Sequence, residues 1–207
     1  MKLYTFAFAP NPRRVRWFMA EKGVEDIELV PVDITSGAHK TPDYKSRVGF
    51  AHVPALELDD GRVISESVAI CRYLEALHPE PNLMGRDPAE IAEIEMWTRR
   101  VELYLANPLM LATRHTHPAL AALEAPNPAV AEYMRAQGER FLRTLDRRLE
   151  GRDFIVADRF TIADIVACIG LEFPRIIEWK PDPALANVGR WFQSVRSRPA
   201  ADAGKRD

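Results

Sequence analysis

The chain has 207 residues, 47% of them hydrophobic and 28% charged, with a formal net charge of −2. That balance fits a soluble globular protein able to bury one or two cores, and it lacks the basic excess of a nucleic-acid binder. Its two cysteines, Cys71 and Cys168, lie in apolar stretches, which excludes a disulfide framework and points to buried thiols in a reducing cytoplasm.

Lys2–Ala7 has strand composition and is broken by Pro10-Asn11-Pro12; the start shows no signal-peptide pattern. Asn11 is expected as an N-cap, Pro12 as the first helical residue, and Gly23 as the stop of a helix Arg13–Lys22. Ile27–Asp33 reads as the next strand, which implies a right-handed parallel crossover. Thr35–Lys45 is polar, with loop and short-helix character. Val53-Pro54 is an X-Pro bond before a strand, where a cis bond is accommodated. Ala55–Leu58, the turn Asp59-Asp60-Gly61 and Arg62–Ser65 then form a hairpin.

Ser65-Glu66-Ser67 opens an apolar helix, Val68–Leu74. The backbone N–H groups of such a helix start attract an anion, and Glu66 beside them attracts a cation. A carboxylate and an ammonium received side by side suit the α-amino-acid end of a ligand.

His78–Pro88 is dense in proline and marks a boundary. Beyond it the long segments are helical in period. Ala89–Ala106 carries Ile91, Ile94, Trp97, Val101 and Tyr104, and Asn107-Pro108 is expected to kink or end it. Pro118–Pro128 reads as a loop, Ala129–Glu150 as a helix stopped by Gly151. Thr161 with Asp164 reads as a capping box and Phe160 with Ile165 as a staple, for a helix reaching about Pro174. Asn187–Ser197 is the last helix. No run approaches the length of about 20 apolar residues needed to span a membrane.

Val53-Pro54-Ala55-Leu56, the Asp-Asp-Gly turn, and Glu66-Ser67 followed by Ala69-Ile70 and Tyr73-Leu74 resemble the glutathione-binding half of the glutathione transferase family. The resemblance implies an α/β plus all-α protein: a thioredoxin-like domain over residues 1–78, a linker over 79–88, and an all-helical domain over 89–207 that lines the electrophile pocket. It implies that Pro54 is cis, that the Val53 backbone pairs with the cysteinyl unit of glutathione, and that Glu66 and Ser67 hold the γ-glutamyl end. The Thr161–Asp164 element after Phe154–Asp158 matches the family's folding cap. His39-Lys40, between Gly37 and Tyr44, resembles a run of theta-like and fungal-like relatives and assigns Lys40 to the glycyl carboxylate. His52 stands where relatives often carry Gln or Lys.

The reaction implied is attack by a thiolate, whereas an ordinary thiol with a pKa near 8.5 is only slightly ionised at pH 7. Lowering that pKa by about 2 units takes roughly 2.7 kcal/mol. Many bacterial relatives have a serine at the end of strand one, where this chain has Ala9. The loop has no cysteine either, so mixed-disulfide chemistry is removed. Asn11, with the start of its helix, becomes the candidate activator, and Ala9 remains a glutathione contact. Arg13, Arg14 and Arg16 read as a solvated face or as partners of acids on a second subunit, and alternatively as a positive field near the sulfur. Tyr104, Arg114, His115 and His117 form a second candidate group, in which His115 acts directly or through water; the two-residue spacing of the histidines is a weak metal signal. Phe8, Tyr104, Met110, Arg114 and the stretch around Phe173 are candidates for the electrophile pocket.

The expectation is a cytoplasmic, homodimeric detoxification enzyme that conjugates glutathione, its cosubstrate, to a hydrophobic electrophile. No permanently bound cofactor or metal, no nucleic acid and no membrane enter this reading. The alternatives are a non-catalytic glutathione-binding or scaffold protein, which Ala9 favours, and a glutathione-dependent disulfide or peroxide reductase.

Overall fold

The computed structural model describes residues 1–205. The chain forms two compact units, Met1–Pro81 together with the segment from Asp202, and Asn82–Ala201. The sequence reading keeps everything after residue 88 in the second domain; the last turn instead belongs to the first.

In the first unit the order is β1 (Lys2–Thr5), α1 (Pro10–Lys22), β2 (Glu28–Pro31), a 3-10 turn Ala38–Lys40, α2 (Pro42–Val48), β3 (Ala55–Glu57), β4 (Val63–Ser65) and α3 (Ser67–Leu77). The sheet runs β2-β1-β3-β4, with β1 parallel to β2 and β3 antiparallel to both neighbours. This is the thioredoxin-like arrangement. Strand alternation sends Tyr4 and Ala55 to one face, where they join Val32 and the α2 residues Tyr44 and Val48 in a buried cluster. Leu3 and Leu56 point the other way, and α1 and α3 contribute fully buried Phe18, Ile70 and Leu74. Each such side chain stabilises by about 1.5–3 kcal/mol on burial.

Gly23 closes α1 in the left-handed region, φ 66°, as its sequence position predicts. Just before it Lys22 turns inward. Its ammonium pairs with Glu75 at 2.7 Å and donates to the carbonyls of His78 at 2.6 Å and Pro81 at 2.8 Å. The α1 face is therefore not uniformly solvated. Arg13 and Arg14 are also buried, at 5% and 1% exposure, which corrects the expectation of an exposed basic face. Arg14 lies four residues before Phe18 and eight before Lys22, on the stripe that faces α3.

The second unit is helical: α4 (Pro88–Val101), α5 (Asn107–Arg114), α6 (Pro128–Arg148), α7 (Ile162–Glu172) and α8 (Ala186–Arg196). Asp87 caps α4 by accepting from the N–H groups of Ala89 and Glu90, both at 2.9 Å. Asn107-Pro108 does not end the helix. Proline 108 has no N–H for the carbonyl four residues back and its ring crowds it, so the chain widens into a π turn over Glu102–Ala106 and continues as α5. Helix α7 is apolar on all sides, with Ile162–Leu171 buried, the mark of a central helix. Its start is closed by a capping box and by groups from neighbouring segments. Asp164, 0% exposed, accepts from the Thr161 N–H (2.9 Å) and hydroxyl (3.2 Å), the Ile155 N–H (3.1 Å) and the Trp191 indole (2.9 Å). Among the described residues no helix is long and apolar enough to cross a membrane.

Candidate functional site

The hairpin brings the first pieces together. Ala55 pairs with Ser65, so the residues just before one and just after the other, Val53-Pro54 and Glu66-Ser67, leave the sheet side by side. The Val53–Pro54 bond is cis. The segment leading into it is anchored by Tyr44, whose hydroxyl donates to the His52 carbonyl at 2.7 Å; burial pushes that phenol's pKa up to about 12. The His52 ring stacks on Phe50, centroids 4.2 Å apart.

Glu66 is the N-cap of α3 and holds φ 70°, ψ 119°, a conformation costly for a residue with a Cβ, on the order of 1–3 kcal/mol. It is exposed, whereas Ser67 is 4% exposed. The Ile70 N–H closes the first helical bond to the Glu66 carbonyl at 2.9 Å. The N–H groups of Ser67, Val68 and Ala69 precede it and so have no acceptor within the helix. Arg14 reaches Ser67 from α1, its guanidinium 3.4 Å from Oγ. A guanidinium only donates, so the Ser67 oxygen accepts and its single proton is left for another acceptor.

The 3-10 turn before α2 carries His39 and Lys40. His39 is buried, and its Nδ1 has no hydrogen-bond partner among the described residues. Burial, then the charges of Lys40, His52 and Lys45, hold its pKa below the ordinary histidine value. Lys40 is exposed.

The loop after β1 is different in kind. Tyr4, at the end of that strand, is spent on the sheet: its hydroxyl donates to Glu57 at 2.6 Å and accepts from Arg47 at 3.3 Å, and burial, then Glu57, raises its pKa. Phe8 sits at φ 65° with its side chain 66% exposed. The N-cap of α1 is Ala9, not Asn11, and the Ala9 methyl cannot accept a capping bond. Asn11 is instead the second helical residue, and its Oδ1 is buried without a partner among the described residues. The helix begins a proline earlier than expected because Pro10 suits the first position as well as Pro12 does. Pro10 and Pro12 lack an N–H, and the Arg13 N–H already bonds the Ala9 carbonyl at 3.1 Å. Asn11 is thus the one residue of the first three with a backbone N–H to offer.

His115 is 9% exposed and its ring is engaged locally, Nδ1 at 3.2 Å from the Ala125 carbonyl and Nε2 at 3.6 Å from Glu124. His117 accepts from the Ala119 N–H at 3.3 Å. Both fasten the loop between α5 and α6, which contains a 3-10 turn, Pro118–Leu120.

Of the residues singled out by sequence, Val53, Pro54, Glu66 and Ser67 gather at the hairpin end. Lys40 is the cation of the His39-Lys40 turn, and Ala9 with Asn11 starts α1. The roles of Arg14 and Tyr44 were missed. Arg14 was readable from its spacing to Phe18; the bond from Tyr44 to a backbone carbonyl leaves no sequence signal.

A thioredoxin-like unit with a cis proline before its hairpin and a strained acidic N-cap after it, followed in the chain by a helical unit, defines the fold class. Models of the glutathione S-transferase N-terminal and C-terminal domains match residues 8–77 and 107–199. Glutathione S-transferase 2 of Saccharomyces cerevisiae is 32% identical, over 97% of this chain and 87% of that protein. Glutathione S-transferase 3 of Zea mays is 30% identical, over 97% and 90%. The crystal structure of a glutathione S-transferase domain-containing protein from Marinobacter aquaeolei VT8 superposes with a TM-score of 0.92 at 35% identity, covering 97% of this chain and all of that one, 100%. The chain belongs to the glutathione S-transferase family.

Proposed function

We propose that this protein binds glutathione at the hairpin end and transfers its thiolate to a hydrophobic electrophile. The observation that carries the reading is the juxtaposition of cis Val53-Pro54 with Glu66 and Ser67 at the open start of α3. The α-carboxylate of the γ-glutamyl end meets the amides of Ser67, Val68 and Ala69 and the Ser67 hydroxyl. Glu66 pairs with the ammonium, the Val53 backbone pairs with the cysteinyl unit, and Lys40, backed by His39 and His52, takes the glycyl carboxylate. Pro54 and Ala9 border the cysteine.

Thiol activation falls to the start of α1. The Asn11 backbone N–H and side-chain amide are the donors available to a sulfur there, reinforced by the helix dipole. Asn11 Oδ1 has no partner among the described residues, so the fold does not hold the side-chain amide by that atom, and its NH2 is the group that can donate to sulfur. Exposed Phe50 and Leu77 on the first unit support pairing with a second copy, and two buried thiols fit a cytoplasmic setting.

The test is an absorbance titration of bound glutathione. The thiolate is expected with a pKa below about 8, against the ordinary thiol value near 8.5 or above. Tight binding with no shift would support the second reading, a non-catalytic glutathione holder, which Ala9 at the α1 cap favours. Light scattering tests the dimer.

A further inference from the structure

The segment from Asp202 to Lys205 returns to the first unit and seats itself against the loop that precedes α1. The Gly204 carbonyl accepts from the Phe8 N–H at 3.1 Å. Gly204 itself is buried and has φ 76°, and a Cβ on it would stand 3.1 Å from Arg13 Cγ and from Arg16 Cβ. Glycine suits that seat by conformation, and a Cβ there would also press on both arginine side chains. The turn is closed on itself by the Lys205–Asp202 ion pair and by the Lys205 N–H bonding the Asp202 carbonyl at 3.2 Å.

Side-chain hydrogen bonds do nothing to hold the loop it touches. Ala7, Phe8 and Ala9 carry no polar side chains, and Phe8 is mostly exposed, so packing contributes little at its position. Phe8 nonetheless occupies the left-handed region, which a residue with a Cβ keeps only where its surroundings enforce it. The enforcing contacts on the backbone are the Ala9 N–H to the Phe6 carbonyl at 3.3 Å and the bond to Gly204. Were Phe8 to relax to an ordinary φ, the direction of the chain into Ala9, and with it the first turn of α1, would change.

We propose that residues 202–205 are a positioning element of the sulfur site: the Gly204 carbonyl, through the Phe8 N–H, fixes the loop that presents Asn11. The inference rests on the reading of the α1 start as the thiol-activating group. It assigns no contact to the hairpin end, so the segment governs thiol ionisation and turnover and leaves glutathione affinity alone.

Three chains test it: one ending after Asp202, one ending after Lys205, and the full chain with Gly204→Val. The chain ending after Asp202 and the Gly204→Val variant should lose about tenfold in kcat, the effect of one charge-stabilising hydrogen bond. The pKa of bound glutathione should rise toward that of the unbound thiol, with Kd for glutathione within about twofold of the full chain. The chain ending after Lys205 should match the full chain. In the intact protein the Phe8 amide should exchange slowly although its side chain is exposed. Fast exchange there overturns the proposal even if neither altered chain folds. So does an unchanged thiol pKa after removal of Gly204, or a parallel loss of affinity, kcat and Tm, which is what a merely structural segment would give. A full-length chain that never lowers the thiol pKa defeats the sulfur-site reading itself, and the positioning role with it, a result visible before any variant is made.

Discussion

Two helix starts in the first unit meet the ligand's chemistry in opposite ways. Helix α3 opens with three residues that all carry an N–H, a buried serine and a strained acid; helix α1 opens with proline, asparagine, proline behind an alanine cap. The first is rich in donors for a carboxylate, the second is nearly stripped of them. On the proposed reading, recognition is thus built redundantly and activation sparely. A lost contact at α3 leaves others in place, whereas a lost contact at α1 leaves almost nothing. Helix α7 in the second unit supplies a reference, because there Thr161 and Asp164 cap each other and the Leu83 carbonyl takes the Ile162 N–H.

The largest effect expected from disturbing a helix start is at that closed one. Asp164→Asn puts an amide donor among groups that already donate, and should cost about 3 kcal/mol in chemical denaturation with no change in glutathione affinity. Burial pushes the Asp164 pKa up from 3.8 to about 6. A raised carboxyl contributes stability that is fully present below the unfolded value and is lost as pH rises through the folded one. The stability gap between the native protein and Asp164→Asn should therefore narrow from pH 4 to pH 6; a widening gap would mean that the carboxylate's donors outweigh its burial.

At the open start, Glu66→Gly should weaken glutathione binding by about 10-fold or more, the worth of one charged hydrogen bond, when measured calorimetrically. The same change should raise stability by about 0.5–1 kcal/mol, because glycine accepts φ 70° without strain. Opposite signs for affinity and stability would identify the strained acid as a ligand group; equal signs would make it a scaffold residue.

The sparse start is tested by Asn11→Ala. With Ala9 as the cap, Asn11 has no capping role to lose, and removing an orphaned buried oxygen should leave stability within about 0.5 kcal/mol. Turnover should still drop about 10-fold and the bound thiol's pKa should rise by about 1 unit. A fall in Tm with unchanged kcat would return Asn11 to a structural role. The smallest effect belongs to Ala9→Ser. A serine cap is worth about 1 kcal/mol where two amides await it, and here only Asn11 offers one, so the gain should be roughly half that. Its hydroxyl can accept from Asn11 while donating to sulfur, so kcat should rise several-fold.

The contrast between the two starts was partly readable. Glu66-Ser67 after a hairpin, Thr161 with Asp164, and Gly23 as a stop are local signals, and local signals survive in a single sequence. Asn11 was misjudged because two prolines compete for the same first position and an alanine cap leaves no mark. The burial of Arg14 and Lys22 ran against their charge, and the contacts that compensate Lys22, a carboxylate and two carbonyls, come from distant residues. The seat of Gly204 on the Phe8 loop is likewise a pairing of the two extremes of the described chain, invisible to any window of sequence.

Cys71 and Cys168 are both buried, and burial raises the Cys71 thiol far above its ordinary pKa. On the proposed reading, a protein that handles thiol-seeking compounds thereby withholds its own thiols from them, since it is the exposed thiolate that reacts. Alkylating substrates should leave the enzyme's mass unchanged over many turnovers, and any thiol lost from solution can be attributed to glutathione alone.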